Sequence, residues 1–444
     1  MTASDPDTII ALSTAHGRAG VAVVRASGSA AGRILRDMAG AVPPARKARL
    51  VTLCRPGSDD AIDRALVLWF PAPESFTGED MAELQVHGGE AVVGACLEAA
   101  LSLDGVRLAE AGEFSRRAFI NGKMDLTEAE GLADLIAAET EAQRRQALRQ
   151  LDGALGERYG AWRDRLVGAL SHVEAALDFA DEELPEDLIA RAAAVVEAVL
   201  AELREHLDDG RRGERLRSGM SVAVVGLPNA GKSSIINQLT NRDVAIVSPL
   251  AGTTRDVVEA HLDLGGVPVV VADTAGLREG GDAIEAEGVR RARARAEAAD
   301  FVLAVFDATR PPEPNDEIVS LCEGAGVVVL NKSDLVSRPL PKAVAGRRAI
   351  ATSCLTGAGI DDLVGAIAGN VEAIGGEGAP LTRARHREAL TACSASLARF
   401  GEATAPELAA EDLRQAVRNL GRITGRVDVE DILDAIFAEF CIGK

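Results

Sequence analysis

The sequence predicts a multidomain protein of mixed α/β and α class, in which an N-terminal α+β domain precedes a helical domain that an inserted α/β domain interrupts. Three observations support this prediction. The chain has 444 residues, enough for about three domains at roughly 150 residues each. Short β runs alternate with helical segments between about 220 and 370, as in a mostly parallel sheet. Helical periodicity flanks this stretch on both sides.

Changes in composition give the expected domain boundaries. β-type runs at 21–24 and 65–70 alternate with Gly/Pro punctuation, which is typical of a compact α+β domain. Helical spacing then continues to a stop at Asp208-Asp209-Gly210 and returns after Pro380. Since the α/β segment lies between two helical segments, we predict one discontinuous helical domain. The expected domains are 1–120 (α+β), 121–217 (first helical part), 218–370 (inserted α/β) and 371–444 (second helical part).

Charge and cysteine usage exclude several classes of protein. The formal net charge is −20 and the sequence pI is about 4.9, which argues against coating nucleic acid or an anionic membrane by bulk electrostatics. The six cysteines form no Cys-x-x-Cys pair, so neither a disulfide framework nor a zinc site is indicated. The N-terminus lacks the pattern of a secretory signal, and no apolar run is long enough to span a bilayer. We therefore expect a cytoplasmic protein without stable membrane association.

A glycine-rich loop predicts a phosphate site in the α/β segment. Gly226 to Ser233 read G-x-x-x-x-G-K-S between an apolar strand, 221–225, and a helix beginning near Lys232. The glycines let backbone N–H groups close around phosphate oxygens, the lysine neutralises the β and γ phosphates, and the Ser233 hydroxyl ligates Mg²⁺. A purely structural glycine turn is the alternative. The predicted contact residues are Asn229, Ala230, Gly231, Lys232, Ser233 and Ser234.

Two further loops complete the expected phosphate and magnesium contacts. Asp273-Thr274-Ala275-Gly276 follows an apolar strand, where a carboxylate holds Mg²⁺ through water and a glycine N–H meets the γ-phosphate. Upstream, Gly252-Thr253-Thr254 forms a polar loop in which Thr254 would complete the Mg²⁺ shell. Taken alone, that loop would be a plain turn.

The last two motifs predict which base is bound. Asn331-Lys332-Ser333-Asp334 directly follows an apolar strand. The Asp334 carboxylate matches the ring N–H and the exocyclic amino group of guanine, two donors that adenine lacks. Alone, this tetrapeptide would be a helix cap. Ser353-Cys354-Leu355 would place a backbone N–H near guanine O6. With all five motifs in order, residues 218–370 resemble a Ras-like P-loop GTPase domain of the translation-factor class.

The position that usually carries the catalytic glutamine of a Ras-type GTPase holds a leucine here, so hydrolysis requires a catalytic group from elsewhere. Leu277 stands where Ras-type enzymes place the glutamine that orients the attacking water. Asn229 is one candidate, as ligand of a monovalent cation that does the work of an arginine finger. Glu285 is another, as a base or as a group that orients the water. Position alone favours a different interpretation of Glu285, namely a helix N-terminal charge stabilised by the dipole.

Short strings outside 218–370 narrow the family. The chain ends in Phe440-Cys441-Ile442-Gly443-Lys444, and two N-terminal strings read Gly20 to Arg25 and Phe76 to Asp80. With Glu83-Leu84-Gln85 and the segment from Gly112 to Lys123, they closely resemble the MnmE (TrmE) family of tRNA uridine-modification GTPases over essentially the whole chain. The resemblance implies a folate-binding N-terminal domain through which the protein dimerises, and a Ras-like GTPase domain inserted into the helical domain.

The resemblance also implies a reaction and its participants. It implies joint action with the flavoprotein MnmG in a heterotetramer, adding a carboxymethylaminomethyl-type group to C5 of the wobble uridine of certain tRNAs. It implies 5-formyltetrahydrofolate or a related folate as one-carbon donor, and GTP hydrolysis stimulated by potassium-dependent dimerisation of the GTPase domains. The transferred residues are Asn229, Ser248, Leu250 and Thr253 (potassium), Glu285 and Cys441 (catalysis), and Arg25, Glu83, Lys123 and Lys444 (folate).

Two departures from the family pattern and two competing functions remain. Cys354 replaces the more usual alanine of the guanine loop, and Pro249 stiffens the loop expected to hold potassium. A ribosome-assembly GTPase that acts only as a binding switch would share the phosphate loop, whereas a folate-dependent methyl carrier with a vestigial GTPase conflicts with the intact Lys232, Asp273 and Asp334. The terminal Cys-Ile-Gly-Lys and the N-terminal strings favour tRNA modification. The charge of −20 indicates that this subunit alone binds tRNA poorly.

Overall fold

The computed structural model describes residues 7–178, 188–242, 259–273, 293–310, 317–322, 325–371, 381–427, 430–438, 440 and 443. At residues 259, 273, 317, 370, 371, 430–432 and 435 the description covers the backbone alone. The chain divides into two compact units, each considered by itself below. The first comprises Met1–Ala133, Gln150–Asp164 and Val417–Lys444, and the second comprises Asp134–Arg149 and Arg165–Ala416.

The first unit contains a sheet with six strands in its described residues, ordered β3-β4-β5-β2-β1-β6. All neighbours pair antiparallel except β1 and β6, which are parallel. Because side chains alternate between the faces of a strand, Ala22, Val24 and Ala26 of β2 lie in the core that covers one face, together with two helices, α1 and α2. The strands are β1 (Thr8–Leu12), β2 (Ala19–Ser27), β3 (Arg49–Cys54), β4 (Ala61–Phe70), β5 (Met81–Gly88) and β6 (Val106–Leu108).

The second unit contains a mostly parallel sheet, as predicted. Its seven described strands are ordered β12-β13-β11-β10-β7-β9-β8, and only the edge strands β8 and β12 pair antiparallel. Two hydrophobic cores divide the side chains of the central strands between them, which explains why β10 is a continuous apolar run. The strands are β7 (Met220–Val225), β8 (Glu259–Leu264), β9 (Val267–Asp273), β10 (Phe301–Asp307), β11 (Gly326–Asn331), β12 (Ala343–Val344) and β13 (Arg347–Ala351).

One strand differs slightly from its sequence prediction. The apolar pattern predicts a strand at 349–352, whereas β13 begins at Arg347 and ends at Ala351. The strand starts earlier because Arg347 and Arg348 pair with Val344 and Ala343 of β12 in an antiparallel hairpin. Hydrophobic periodicity does not detect this edge pairing, since β12 has only two residues and each pairs with an arginine.

Helices occupy most of the remaining described chain, as the periodicity predicts. In the first unit, Leu126 and Ala129 of α4 pack with Leu433 and Phe437 of the last helix. In the second unit, α7 packs against α12. The helices are α1 (Ala31–Ala39), α2 (Glu90–Leu101), α3 (Glu113–Ile120), α4 (Leu126–Ala137), α5 (Glu141–Leu151), α6 (Ala154–Asp178), α7 (Leu188–Leu207), α8 (Arg212–Ser218), α9 (Lys232–Thr240), α10 (Glu317–Ser320), α11 (Ile360–Val371), α12 (Ala384–Glu402), α13 (Pro406–Thr424) and α14 (Glu430–Ala438).

These elements confirm the predicted fold class. The helical stretch stops where Asp208-Asp209-Gly210 predict, since α7 ends at Leu207. Helical periodicity resumes after 380 with α12, which begins at Ala384. Within the part of the chain that the structure describes, no helix combines the length and the apolar character needed to cross a bilayer. The four domain boundaries given above stay a prediction.

Candidate functional site

Three of the five predicted nucleotide motifs lie within the described residues, and they meet at one edge of the seven-stranded sheet. The glycine-rich loop follows β7, Asp307 ends β10, Asn331 ends β11, and Ser353 lies just beyond β13. These four strands run parallel, so their carboxyl ends lie at the same edge. This is where open α/β sheets bind ligands. The loops that the sequence singles out are therefore neighbours in space.

The glycine-rich loop has a backbone that only glycine tolerates at two points. Gly226 has φ +152°, and a Cβ there would lie 2.2 Å from the carbonyl oxygen of Val305. Gly231 has φ +98°, and a Cβ there would lie 2.1 Å from Asn331 Nδ2. Asn229 takes a left-handed φ of 62° between them. Such a backbone closes the loop tightly, as a loop that surrounds a phosphate must.

Lys232 occupies the expected place at the mouth of this loop. It is the first residue of α9 and is buried. Its Nζ donates to the carbonyl oxygens of Gly226 at 2.9 Å and Leu227 at 3.0 Å. The ammonium group therefore lies inside the loop, where a phosphate would replace the carbonyls as its partner. Ser233 and Ser234 follow at the exposed start of the helix.

Asn331 joins the phosphate loop to the base-recognition loop. Its Nδ2 donates to the Ala230 carbonyl oxygen at 3.1 Å. Its Oδ1 accepts from Thr352 Oγ1 and from Cys354 Sγ, each at 3.4 Å. The side chain is 2% exposed, so each bond that it makes avoids the cost of an unsatisfied buried amide. One asparagine thereby ties together three of the predicted motifs.

Asp334, predicted to bind the base, lies on a short turn beside Ser353. A 3-10 turn at Ser333–Leu335 carries it, and its residue is exposed. Ser353 Oγ donates to its Oδ1 at 2.5 Å, which aligns the carboxylate. Gln238 Nε2 donates to the Cys354 carbonyl at 2.8 Å and fixes the neighbouring loop. Burial raises the pKa of the Cys354 thiol, and Leu355 beside it is 85% exposed.

One contact at this site was missed by the sequence analysis. Lys332 Nζ donates to Asp307 Oδ2 at 2.7 Å. This hydrogen bond, with bonds from Thr309 and the lysine charge, lowers the pKa of Asp307 to about 2 against the opposing effect of burial. The ion pair restrains the side chain of Lys332, a residue of the predicted base-recognition motif. Its only signal in the sequence was the place of Asp307 at the end of an apolar strand.

Several predicted site residues lie outside the described residues. The backbone of Asp273 ends β9, next to β7 at the same sheet edge, but its side chain is not described. The others are Ser248, Leu250, Thr253, Thr254, Thr274, Ala275, Gly276, Glu285, Cys441 and Lys444. Their roles stay predictions. Across the described ranges, no group of three or more His, Cys, Asp or Glu side chains is arranged to hold a metal ion.

A second polar cluster lies in the first unit and contains two of the predicted folate residues. Arg25 and Glu83 are register partners on β2 and β5. The Arg25 guanidinium donates through Nε and Nη2 to Glu83 Oε1, at 3.0 and 2.9 Å. It also lies 5.8 Å from the ring centroid of Phe76 and 6.0 Å from that of Phe114. A cation, a carboxylate and two aromatic rings are therefore assembled at one place.

Lys123 and Gly443 contact segments that neighbour the Arg25–Glu83 pair. Lys123 Nζ donates to the Pro73 carbonyl at 3.0 Å, on the same loop that carries Phe76. Gly443 has φ +91°, and a Cβ there would lie 2.2 Å from the Leu12 carbonyl oxygen. In the β1–β2 pairing, Leu12 lies opposite Val24, and the next pair along is Ala11 with Arg25. The chain thus brings its penultimate residue to the strand beside Arg25.

A buried ion-pair network that the sequence analysis did not predict holds the loop of Phe76. Arg117 donates to Asp7 Oδ1 at 3.0 Å, to Glu113 Oε1 at 3.0 Å and to Glu79 Oε2 at 3.1 Å. Burial opposes the ionised form of Glu113, but hydrogen bonds from Arg107 and Arg117 keep its pKa below the ordinary value. Asp7 and Glu79 are far from Arg117 in the sequence, so local spacing could reveal only the pair with Glu113, four residues away on α3.

Comparisons with known proteins give a consistent result. A family model described as the MnmE helical domain matches residues 126–441, and one described as the GTP-binding protein TrmE N-terminus matches residues 8–123. The chain is 54% identical to a tRNA modification GTPase MnmE of Paramagnetospirillum magneticum, over 99% of this chain and 100% of the relative. It is 50% identical to the mitochondrial 5-taurinomethyluridine-[tRNA] synthase subunit GTPB3 of Homo sapiens, over 98% of this chain and 93% of the relative.

Proposed function

This chain belongs to the MnmE family of tRNA modification GTPases, and from that premise we propose that it is the GTP-hydrolysing component of a complex that modifies C5 of the wobble uridine of tRNA. GTP hydrolysis in tRNA modification is the activity that the family membership establishes. The carboxymethylaminomethyl-type product, the folate donor, the potassium requirement and the partner belong to the proposal. The names of the relatives favour this function over a ribosome-assembly switch.

One observation carries the proposal: the bond from Asn331 Nδ2 to the Ala230 carbonyl. It connects the loop that would hold the phosphates to the loop that would hold the base. A guanine nucleotide occupies both loops at once, so the two must keep a fixed separation. The buried hydrogen bond from the Asn331 side-chain amide sets that separation before the ligand arrives.

The residues of the phosphate loop fit a nucleotide with magnesium. The positive φ values at Gly226 and Gly231 leave a cradle that a Cβ would fill, and Lys232 would exchange its two carbonyl partners for phosphate oxygens. Ser233 and Thr254 would hold the ion, with Asp273 acting through water. Bound Mg²⁺ would offset the charge that develops on the phosphate oxygens. Lys232 would bind the same oxygens and so stabilise the transition state.

Hydrolysis would need two further groups, because Leu277 cannot orient water. We assign the potassium site to Asn229 with Ser248, Leu250 and Thr253. Asn229 supports this assignment because it is exposed and lies in the phosphate loop between Gly226 and Gly231. A monovalent cation there would do the electrostatic work of an arginine finger. We assign the orientation of the attacking water to Glu285, acting as base or through a bridging water.

A folate fits the cluster of Arg25 and Glu83. A pterin ring presents N–H donors that a carboxylate accepts, and both bonds from Arg25 go to a single oxygen, Oε1, of Glu83. Phe76 and Phe114 supply flat apolar surface for a ring system. Lys123 and Lys444 would bind the folate carboxylates. We place Cys441 in the reaction on tRNA, because Gly443, two residues later, contacts the strand next to Arg25.

The sheet of the first unit supports dimerisation through the N-terminal domain. The helices α1 and α2 cover one face of it. On the opposite face Leu50 and Leu66 are direct cross-strand partners, 57% and 41% exposed. The row continues through Gln85 to Val23, and Arg25 and Glu83 lie on the same face two residues further on. A second copy would cover this apolar row and place two folate sites beside the interface.

The net charge bears on how tRNA is bound. At −20 this chain repels a polyanion over most of its surface. We therefore propose that the flavoprotein partner, of the MnmG type, supplies most of the basic surface in a cytoplasmic heterotetramer. The human relative is named as a subunit of a synthase, which is consistent with a complex.

Steady-state GTP hydrolysis by the purified chain, in KCl and in NaCl, tests the enzymatic part of the proposal. We expect a higher rate in KCl, and we expect Asn229→Ala to remove the difference between the salts while it retains the basal rate in NaCl. Lys232→Ala is the control that should abolish hydrolysis in both salts. Equal rates in the two salts would refute the potassium site, and no hydrolysis by the wild-type chain would refute the GTPase itself.

A further inference from the structure

One short helix, α8, connects the preceding helices to the seven-stranded sheet. It ends at Ser218, and β7 begins at Met220 and leads straight into the phosphate loop at Gly226. The chain therefore connects α8 to the predicted nucleotide site through one strand, β7. What holds α8 in place decides how the two parts move together.

A single carboxylate holds the chain where it enters and where it leaves the seven-stranded domain. Asp134 Oδ1, on α4, accepts from Arg217 Nε at 2.9 Å and from Arg383 Nη2 at 2.8 Å. Arg217 lies in the last turn of α8, and Arg383 is the N-cap residue of α12, where the chain returns from that domain. The side chains of Asp134 and Arg383 are 13% and 8% exposed. In addition, Gln143 Nε2 of α5 donates to the Arg217 carbonyl at 3.0 Å.

Arg387, in the next turn of α12, forms hydrogen bonds with residues at and just before the start of α8. Arg387 donates through Nε to Glu214 Oε1 and through Nη2 to Asp209 Oδ1, both at 2.7 Å. Its Nη1 donates to the Leu207 carbonyl at 2.9 Å. Burial opposes the charged form of Arg387, but the hydrogen bonds to Glu214 and Asp209 and the negative charges of these carboxylates keep its pKa above the ordinary value. Both ends of α8 are thus attached to the helices that flank the insertion.

The same helix is also attached to the sheet. Arg215 Nε pairs with Asp300 Oδ1 at 2.8 Å. Asp300 Oδ2 accepts from the backbone N of Ser221 at 3.0 Å and from its Oγ at 2.8 Å. Asp300 therefore fixes α8 to the starts of β7 and β10. Alternate residues of one short helix, Arg215 and Arg217, bind the sheet and the flanking helices respectively.

Paired charges at this level of burial specify geometry more than they add stability. The attraction between them is largely offset by the loss of hydration, so an apolar contact would hold the parts together equally well. An ionic contact instead allows one arrangement of donors and acceptors. It also separates into two hydrated halves when the arrangement changes.

From these contacts we propose that Asp134 is a positioning residue that couples the nucleotide site to the helices. By holding Arg217 and Arg383 on one oxygen, it makes α8, the last turn of α4 from Asp134 onward and the start of α12 move as one body with the phosphate loop. Nucleotide binding then reaches the helices through Asp134. The link to tRNA modification rests on the proposed function, but the mechanical coupling does not.

Hydrogen–deuterium exchange of the full-length chain, with and without GDP, tests this proposal. In the wild type we expect GDP to slow amide exchange in α8 and in the first turns of α12, as well as in the phosphate loop. In Asp134→Asn we expect protection in the phosphate loop to remain, and GDP-dependent protection of α12 to fall about tenfold. Asp134→Glu keeps the charge and should restore most of it.

A matched control is the ion pair between α6 and α7, where Arg165 Nη1 donates to Glu202 Oε1 and Oε2 at 2.8 and 2.9 Å. Glu202→Gln removes a carboxylate charge without touching α8 and should leave the exchange pattern unchanged. If Asp134→Asn fails to fold, Arg217→Lys replaces it, because lysine keeps the charge but lacks the planar donors of the guanidinium.

The outcomes separate the two claims. GDP-dependent protection of α12 in Asp134→Asn equal to that of the wild type would overturn the coupling, and so would its absence from the wild type. Failure of the wild type to bind GDP at all would instead refute the proposed function. Loss of α12 protection with a GDP affinity within about twofold of the wild type supports the coupling, because a merely unfolded variant would lose both.

Discussion

Replacing Asp334 by asparagine should change the base that the protein prefers. The aspartate carboxylate would accept bonds from the ring N–H and the amino group of guanine. Asparagine has the same shape, and its Oδ1 still accepts from Ser353 Oγ, which lies 2.5 Å from the present carboxylate oxygen. The loop should therefore keep its conformation. The amide presents a donor where the carboxylate presents an acceptor, so it matches xanthine, which has a carbonyl in place of the amino group.

The size of the change follows from the two bonds. Each hydrogen bond to a charged group contributes about 1.5–3 kcal/mol. Since Asp334 is exposed, water replaces part of what is lost, so the lower end of the sum for two bonds, about 3 kcal/mol, is the expected loss for GTP. At about 1.4 kcal/mol per factor of ten, GTP affinity should fall at least about a hundredfold. Xanthosine triphosphate should then bind more tightly than GTP.

Displacement of a fluorescent GDP analogue by unlabelled GTP and xanthosine triphosphate measures this preference. Asp307→Asn is the matched control, because it removes a neighbouring carboxylate and leaves Lys332 without its ionic partner at 2.7 Å. This control should weaken both nucleotides by the same factor. If Asp334→Asn retains the wild-type preference for GTP, Asp334 does not bind the base and the assignment of the loop is wrong.

Three further changes test other parts of the account. Gly231→Ala would put a Cβ 2.1 Å from Asn331 Nδ2 at a residue with φ +98°, and the backbone strain alone would cost about 1–2 kcal/mol. We expect the GDP affinity measured by calorimetry to fall at least about tenfold. An unchanged affinity would contradict the loop geometry. Because Arg107 keeps the pKa of Glu113 below its ordinary 4.5, the stabilisation is complete above pH 4.5 and is lost as the pH falls below it. Glu113→Gln should flatten that dependence in thermal melts from pH 7 to about 3; parallel curves would refute it. Cys441→Ser should abolish wobble modification in cells at a normal GTPase rate, whereas normal modification would make Cys441 structural.

The sequence predicted those parts of the site whose residues are neighbours in the chain. The phosphate loop is contiguous, and its flanking strand and helix follow from a continuous apolar run and from the start of α9 at Lys232. Parallel strands buried on both faces have such runs because neither face meets water. The apolar run 301–306 predicts a strand, and β10 differs from that run by one residue at its end, Asp307.

Contacts between distant residues could not be predicted in this way. The pairing of Arg25 with Glu83 depends on the register of β2 against β5, and a shift by one residue would turn one of them to the other face. The bonds of Asp134 join residues on three helices. Charged residues on amphipathic helices most often face solvent, so nothing in the local pattern distinguishes Asp134 from its neighbours.

For Asn331, the motif predicted only part of what the residue does. Its place in Asn331-Lys332-Ser333-Asp334 predicted proximity to the base. The bond to Ala230 is between loops that follow different strands, β7 and β11. These strands are not adjacent, since β10 lies between them. Only the folded sheet shows that the loops meet across it.

Nucleoside analysis of tRNA by mass spectrometry tests the central claim most directly. The strains compared would lack this chain, or carry the wild type or Lys232→Ala on a plasmid. We expect the C5-modified wobble uridine to be absent from the deletion strain, restored by the wild type and absent again with Lys232→Ala. An unchanged level of the modified nucleoside in the deletion strain would contradict the account.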